Sequence, residues 1–192
     1  MSDIVCTSSN AVQIVESLPK DQQIIFGPDK NLGTYVAKKT GRNLVLWNGA
    51  CMVHEIFSRE KITRLKERHP GARLLAHPEC EEVILQMADY IGSTTGILKY
   101  ASNHPDREFI VATEPGIIHQ MQKKNPDKVF IPAPPNNSCA CNDCPHMKRN
   151  TLEKLYLCLK NEVPEITLPA DIIEKAVKPI TRMLEISARL GL

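Results

Sequence analysis

"ARLLAHPEC", residues 72–80, is an apolar run that does not alternate and that ends abruptly in His77, Pro78 and Glu79. A strand with one wet face alternates apolar and polar residues; an unbroken apolar run suits a strand covered on both faces. The same arrangement recurs in "DIVCTS" (3–8), "QQIIFGPDK" (22–30), "NLVLWNGAC" (43–51), "EFIVATEPG" (108–116) and "KVFIPAP" (128–134). Between these runs lie segments with apolar residues at helical spacing: "SNAVQIVESL" (9–18), "SREKITRLKERH" (58–69), "EEVILQMADY" (81–90) and "IIHQMQKKN" (117–125). Strand and helix alternate, which implies an α/β fold with parallel sheets.

The rhythm changes at "IPAPPNNS" (131–138), where prolines and asparagines interrupt it. Only helical patterns follow, "NTLEKLYLCLKN" (150–161) and "PADIIEKAVKPITRMLEISARL" (169–190), with Pro179 expected to start, kink or interrupt the last one. This places α/β units in residues 1–131 and a helical tail in 132–192. The chain opens directly into an expected strand, an unusual start for an autonomous domain that suggests a truncated chain.

Composition narrows the class. Hydrophobic residues make up 42% and charged residues 24% of the 192, and the formal net charge is +2 with Lys and Arg scattered. No nucleic-acid or membrane footprint follows from that distribution. No apolar run approaches membrane-spanning length and the start lacks a signal peptide, so a cytoplasmic protein is expected. In a reducing compartment seven cysteines do not suggest a disulfide framework. An odd count with three clustered suggests metal or cluster ligands among free thiols.

In a parallel α/β sheet ligands bind beyond the carboxyl ends of the strands. The residues found there are "CTSSN", "GPDKNLG", "GACMVHE", "HPEC", "GSTTG" and "TEPG". Small, hydroxyl, carboxylate and imidazole groups leading into helix N-termini suit an anion site with acid/base groups. Singly, each is as well explained by a cap, a turn or a structural histidine; their joint placement carries the reading. Cys6 is expected in a strand and Cys158 on the apolar face of a helix, both as core thiols, and Cys80 as structural. "SCACNDCPHMKRN" (138–150) leaves alternatives open. Cys139, Cys141, Cys144 and His146 could hold zinc. Cys141 and Cys144 could form a redox pair. An iron–sulfur site could combine one of them with distant Cys51.

In order, "CTSSNAV", "PDKNLG", "WNGACMVHE", "HPEC", "GSTTG", "VATEPGI" and "CNDCPHMKRNTL" resemble the later two-thirds of the quinolinate synthase family of bacterial NAD biosynthesis. The resemblance implies three-layer α/β/α units around a pseudo-threefold axis in the complete protein. It divides this chain into 1–49 (part of a second domain), 50–131 (a third domain) and 132–192 (a cysteine loop and helical tail that would pack on a missing first domain). It implies condensation of iminoaspartate with dihydroxyacetone phosphate to quinolinate, with L-aspartate oxidase as functional partner. A [4Fe–4S] cluster is implied, held here by Cys51 and Cys144, with its open iron acting as a Lewis acid. His54, His77 and Glu79 are the implied catalytic residues; Ser8, Ser93 and Thr94 are implied to hold phosphate or carboxylate. The family's first domain, its cysteine and an upstream tyrosine are expected to be missing, leaving apolar interface uncovered and activity of this chain alone in doubt. The alternative from another class is a cluster-free phosphate- and dicarboxylate-binding module.

Overall fold

The computed structural model describes residues 2–136 and 142–192, so Cys139 and Cys141 lie outside the described residues. The chain divides into two compact units, one of residues 18–143 and one that joins residues 1–17 to 144–192.

The larger unit is built around strands β3 (Arg73–Ala76), β4 (Tyr90–Ile91), β5 (Glu108–Ala112) and β6 (Val129–Pro132). They form one parallel sheet in the order β4-β3-β5-β6, with Leu74 opposite Ile110 and Ile110 opposite Ile131. Helix α4 (Arg59–Arg68) leads into β3, and α5 (Glu82–Leu85), α6 (Thr94–Asn103) and α7 (Gly116–Lys124) supply the crossovers. The apolar runs explain the layering. Leu74, Ala76, Ile110 and Ala112 pack with Ile62 and Leu65 of α4 and Ile84 and Leu85 of α5. The intervening Leu75, Phe109 and Val111 face the other way, toward Ile97 and Ala101 of α6 and Met121 of α7. Successive strand residues thus enter two different cores, which is why the run cannot alternate.

The same unit holds a two-stranded parallel sheet, β1 (Ile24–Phe26) with β2 (Leu44–Leu46), connected by α2 (Lys30–Thr40). Helix α2 ends at Gly41 in the left-handed conformation, φ 66°. Gly33 lets α2 come close to these strands, since a Cβ there would sit 2.6 Å from Leu46 Cδ2 and 2.9 Å from Phe26 Cδ1. The short helix α3 (Met52–Glu55) follows β2.

The smaller unit contains α1 (Ala11–Glu16), α8 (Leu152–Asn161) and α9 (Ala170–Leu190). Helix α1 buries Ala11, Ile14 and Val15, and Asn10 Nδ2 donates to Ser187 Oγ of α9 at 3.3 Å. Several expectations are corrected here. "DIVCTS" forms no strand; Val5 N–H donates to the Pro179 carbonyl at 3.4 Å instead. With only helices among the described residues of this unit, no strand is available to pair with it. Cys6 and Cys158 are partly exposed rather than core thiols, Cys158 on a helix that buries none of its residues. The pattern "EEVILQMADY" yields only a single helical turn before β4 begins. Helix α9 runs through Pro179 without interruption, with the apolar period kept on both sides of it.

Candidate functional site

The carboxyl ends of β3 and β5 lie side by side, because these strands are neighbours in register from Arg73 opposite Phe109 to Ala76 opposite Ala112. Each strand delivers one buried polar residue at its end, His77 and Thr113. The His77 amide N–H extends the ladder by donating to Ala112 O at 3.1 Å, which fixes where the "HPEC" turn begins. Cys80 closes that turn from inside: it is fully buried, and its thiol donates to Ala112 O at 3.3 Å, a structural role as expected from the sequence.

Helix α3 brings the third component. It begins directly after Cys51, and His54 faces the sheet end from its buried side. The His54 ring stacks on that of His77, with centroids 4.6 Å apart and planes 18° apart. Its Nε2 is 3.0 Å from Thr113 Oγ1, and its Nδ1 is 3.0 Å from Glu79 Oε2. The second contact is close but off the axis of a hydrogen bond, so it is chiefly electrostatic. A carboxylate opposite Nδ1 favours a proton there, which leaves Nε2 to accept from the Thr113 hydroxyl. Glu79 also lies 3.8 Å from His77 Nδ1.

These contacts set the protonation states. Burial drives His77 down to about 4, with the neighbouring His54 adding to the effect and Glu79 opposing it. His77 is therefore neutral at pH 7. Burial acts to raise Glu79, but contact with His54 and the electrostatic influence of the His77 and His54 rings outweigh it and hold the carboxyl below its ordinary range. Glu79 is thus a carboxylate at neutral pH, able to accept a proton. The Cys51 thiol is pushed up by burial, against hydrogen bonds from the backbone N–H groups of His54 and Val53, and the Glu79 and Asp29 carboxylates push it the same way.

The ligand atoms of Cys51, His54 and Glu79 lie within 4.8 Å of one another, a spacing a metal centre can span. The donor chemistry agrees: a half-buried thiol that resists ionisation by itself becomes a thiolate when a positive metal centre supplies the compensating charge. The residues of this chain therefore fit a group ligated by Cys51.

Of the residues singled out from the sequence, His54, His77 and Glu79 are in mutual contact, and Cys51 adjoins them. Ser93 caps α6, accepting from Gly96 N–H at 3.2 Å, and exposed Thr94 opens that helix; both follow β4, at the same edge of the sheet. Ser8 and Cys144 belong to the smaller unit. Two residues were not singled out. Thr113 is found only through its contact with His54, although "VATEPGI" contains it. Asp29, in "PDKNLG", accepts from Cys51 N–H with one carboxylate oxygen. No helix among the described residues is long and apolar enough to cross a membrane.

Comparison with known proteins shows the family. The family model for quinolinate synthetase A protein (NadA) matches residues 1–185. Quinolinate synthase of Nostoc punctiforme is 64% identical over 187 residues, which cover 97% of this chain and 58% of that protein. That of Trichodesmium erythraeum is 62% identical over the same shares. That of Chloroherpeton thalassium is 60% identical over 188 residues, again 58% of its length. The chain thus spans less than two thirds of the curated relatives it matches.

Proposed function

We propose, from the premise that the chain belongs to the quinolinate synthetase A protein family, that the complete protein makes quinolinate. It would condense iminoaspartate with dihydroxyacetone phosphate, with loss of phosphate and water, in the cytoplasm and downstream of an L-aspartate oxidase. The observation that carries this reading is the packed set His54, His77, Glu79 and Thr113 beside Cys51.

A [4Fe–4S] cluster would be held by Cys51 and Cys144 among the residues of this chain. When bound it supplies Lewis acidity toward a substrate oxygen. The remaining chemistry belongs to side chains. Glu79, ionised at neutral pH, is the base that removes protons during the tautomerisations, and His54 Nδ1 stabilises the charged carboxylate between turnovers. With a pKa near 4, His77 is charged in only about one molecule in a thousand at pH 7. It therefore orients a substrate carboxylate or hydroxyl by hydrogen bonding rather than as a cation. Ser8, Ser93 and Thr94 would hold the phosphate or carboxylates, Ser93 and Thr94 with help from the N-terminus of α6.

The test is iron and sulfide content with the visible spectrum after anaerobic reconstitution. It is run on this chain and on a form extended by the part of the relatives it does not span. Loss of iron in both Cys51→Ala and Cys144→Ala is expected; unaltered content in either variant overturns that residue as a ligand. A protein that takes up no iron in either form, yet is stabilised by quinolinate, is instead the cluster-free dicarboxylate-binding module.

A further inference from the structure

Asp29 is 6% exposed and has φ 92°, a backbone conformation that side chains other than Asn and Asp rarely adopt. It caps α2: its Oδ1 accepts from Leu32 N–H at 2.8 Å. A cap needs only one oxygen and tolerates Ser, Thr or Asn equally well. Here the second oxygen is also engaged, since Oδ2 accepts from Cys51 N–H at 2.8 Å, across 22 residues of sequence. Two neighbouring contacts reinforce the junction. Lys30 N–H donates to Gly49 O at 2.7 Å, and Lys30 Nζ meets Glu55 Oε1 at 2.8 Å. The first turn of α2 thus grips the Cys51 loop before it, at it and after it.

Two N–H donors converge on one side chain, and only an acceptor-only carboxylate satisfies both. An amide of the same shape can satisfy one and must present N–H to the other. The hydroxyl of Ser is too short to reach beyond its own helix. The positive φ narrows the residue to Asn or Asp, and the second contact selects the carboxylate over the amide.

We propose that Asp29 is a positioning residue for Cys51: its carboxylate ties the Cys51 amide to the N-terminus of α2 and so fixes the place from which the thiol reaches the cluster. This rests on Cys51 being a ligand, as argued above. Partners that orient a ligand typically change metal retention by about 10- to 100-fold when removed.

The test uses Asp29→Asn and Asp29→Ser in the present chain, with Cys51→Ala beside them. Site-resolved amide exchange is read at Cys51 and Leu32, and iron release to a chelator is followed after anaerobic reconstitution. In Asp29→Asn, which suits the positive φ and keeps one cap oxygen, exchange at Cys51 should rise at least about tenfold while Leu32 stays protected, which shows that α2 is still folded and capped. Iron release from both Asp29 variants should quicken by about tenfold or more. Parental exchange at Cys51, or faster exchange with parental iron release, overturns the role of Asp29. Iron retained by Cys51→Ala overturns the ligand reading instead, independently of Asp29. If the chain takes up no iron, exchange at Cys51 alone decides, with parental protection overturning the tie.

Discussion

In the four-stranded sheet, Leu74, Leu75, Phe109, Ile110 and Val111 are wholly excluded from solvent; on α8, Leu152, Leu155, Leu157 and Leu159 are all exposed, Leu152 at 83%. Both sets are aliphatic or aromatic and both follow a regular pattern. The difference lies in who covers them. Parallel strands are joined by crossover helices, so the covering surface for β3 and β5 is supplied within a few dozen residues by α5 to α7, together with α4 just before β3. An amphipathic helix states only that one stripe is apolar, and α8 buries none of its residues in this chain. Helix α9 behaves in the same way over Ile172, Ile173, Val177, Ile180 and Leu184, which are exposed, while Pro179 and Ile186 are buried. Burial of a Leu-sized side chain contributes about 1.5–3 kcal/mol, so the sheet unit draws its stability from contacts that the two helices do not make.

The sharpest way to break this comparison is to remove a side chain from the closed core. Phe109→Ala should cost about 3–5 kcal/mol in urea unfolding, because Phe109 stacks on Phe130 with centroids 5.7 Å apart and is fully enclosed. A loss below about 1 kcal/mol would mean that the sheet core is not close-packed.

Acid should weaken the sheet unit next most strongly. His77 has its pKa lowered from 6.5 to about 4 in the folded state. Between those values the unfolded chain binds a proton that the folded chain refuses, so stability falls as pH drops from about 6.5 to about 4 and levels off below. The whole loss is about 3 kcal/mol at about 1.4 kcal/mol per unit. Glu79, held below its ordinary value, acts in the same direction at lower pH: its stabilisation is present above about 4.5 and is lost as the folded carboxyl takes up its proton. His77→Asn should flatten the upper part of the curve in urea unfolding followed from pH 7 to 4; an unchanged slope would remove His77 as its source.

The smallest effect belongs to α8. Leu159→Ala, at a position 73% exposed, should leave stability within about 0.5 kcal/mol in thermal unfolding at several protein concentrations. A loss of about 2 kcal/mol or more would show that the stripe is covered in solution, and the concentration dependence would tell whether a second copy covers it.

Much of the candidate site was named from the sequence, its residues' roles through the family resemblance. His77 and Glu79 follow an obvious strand end, and His54 lies three residues after Cys51, one helical turn on the same face. Thr113 occupies the equivalent strand-end position in "VATEPGI", yet a threonine after a strand is ordinary and only the His54 contact distinguishes it. "GPDKNLG" reads as a turn; that Asp29 caps α2 and that its second oxygen reaches the Cys51 amide depend on the packing of α2 against the loop after β2. The strand expected in "DIVCTS" failed for a related reason, since a run of Ile, Val and Cys specifies an extended segment only where another strand offers its ladder.

The sequence by itself determined the parallel α/β character, the strand ends at which polar groups collect and the family to which the chain belongs, because these follow from local periodicity and motif order. Tertiary structure alone decided which of those polar groups meet. The stacking of His54 on His77, the neutral state of His77 and the ionised state of Glu79 all arise from burial and from through-space contacts between strand ends far apart in the chain. Hydrogen bonding and desolvation act over a few ångströms of space, and residue order does not record those distances.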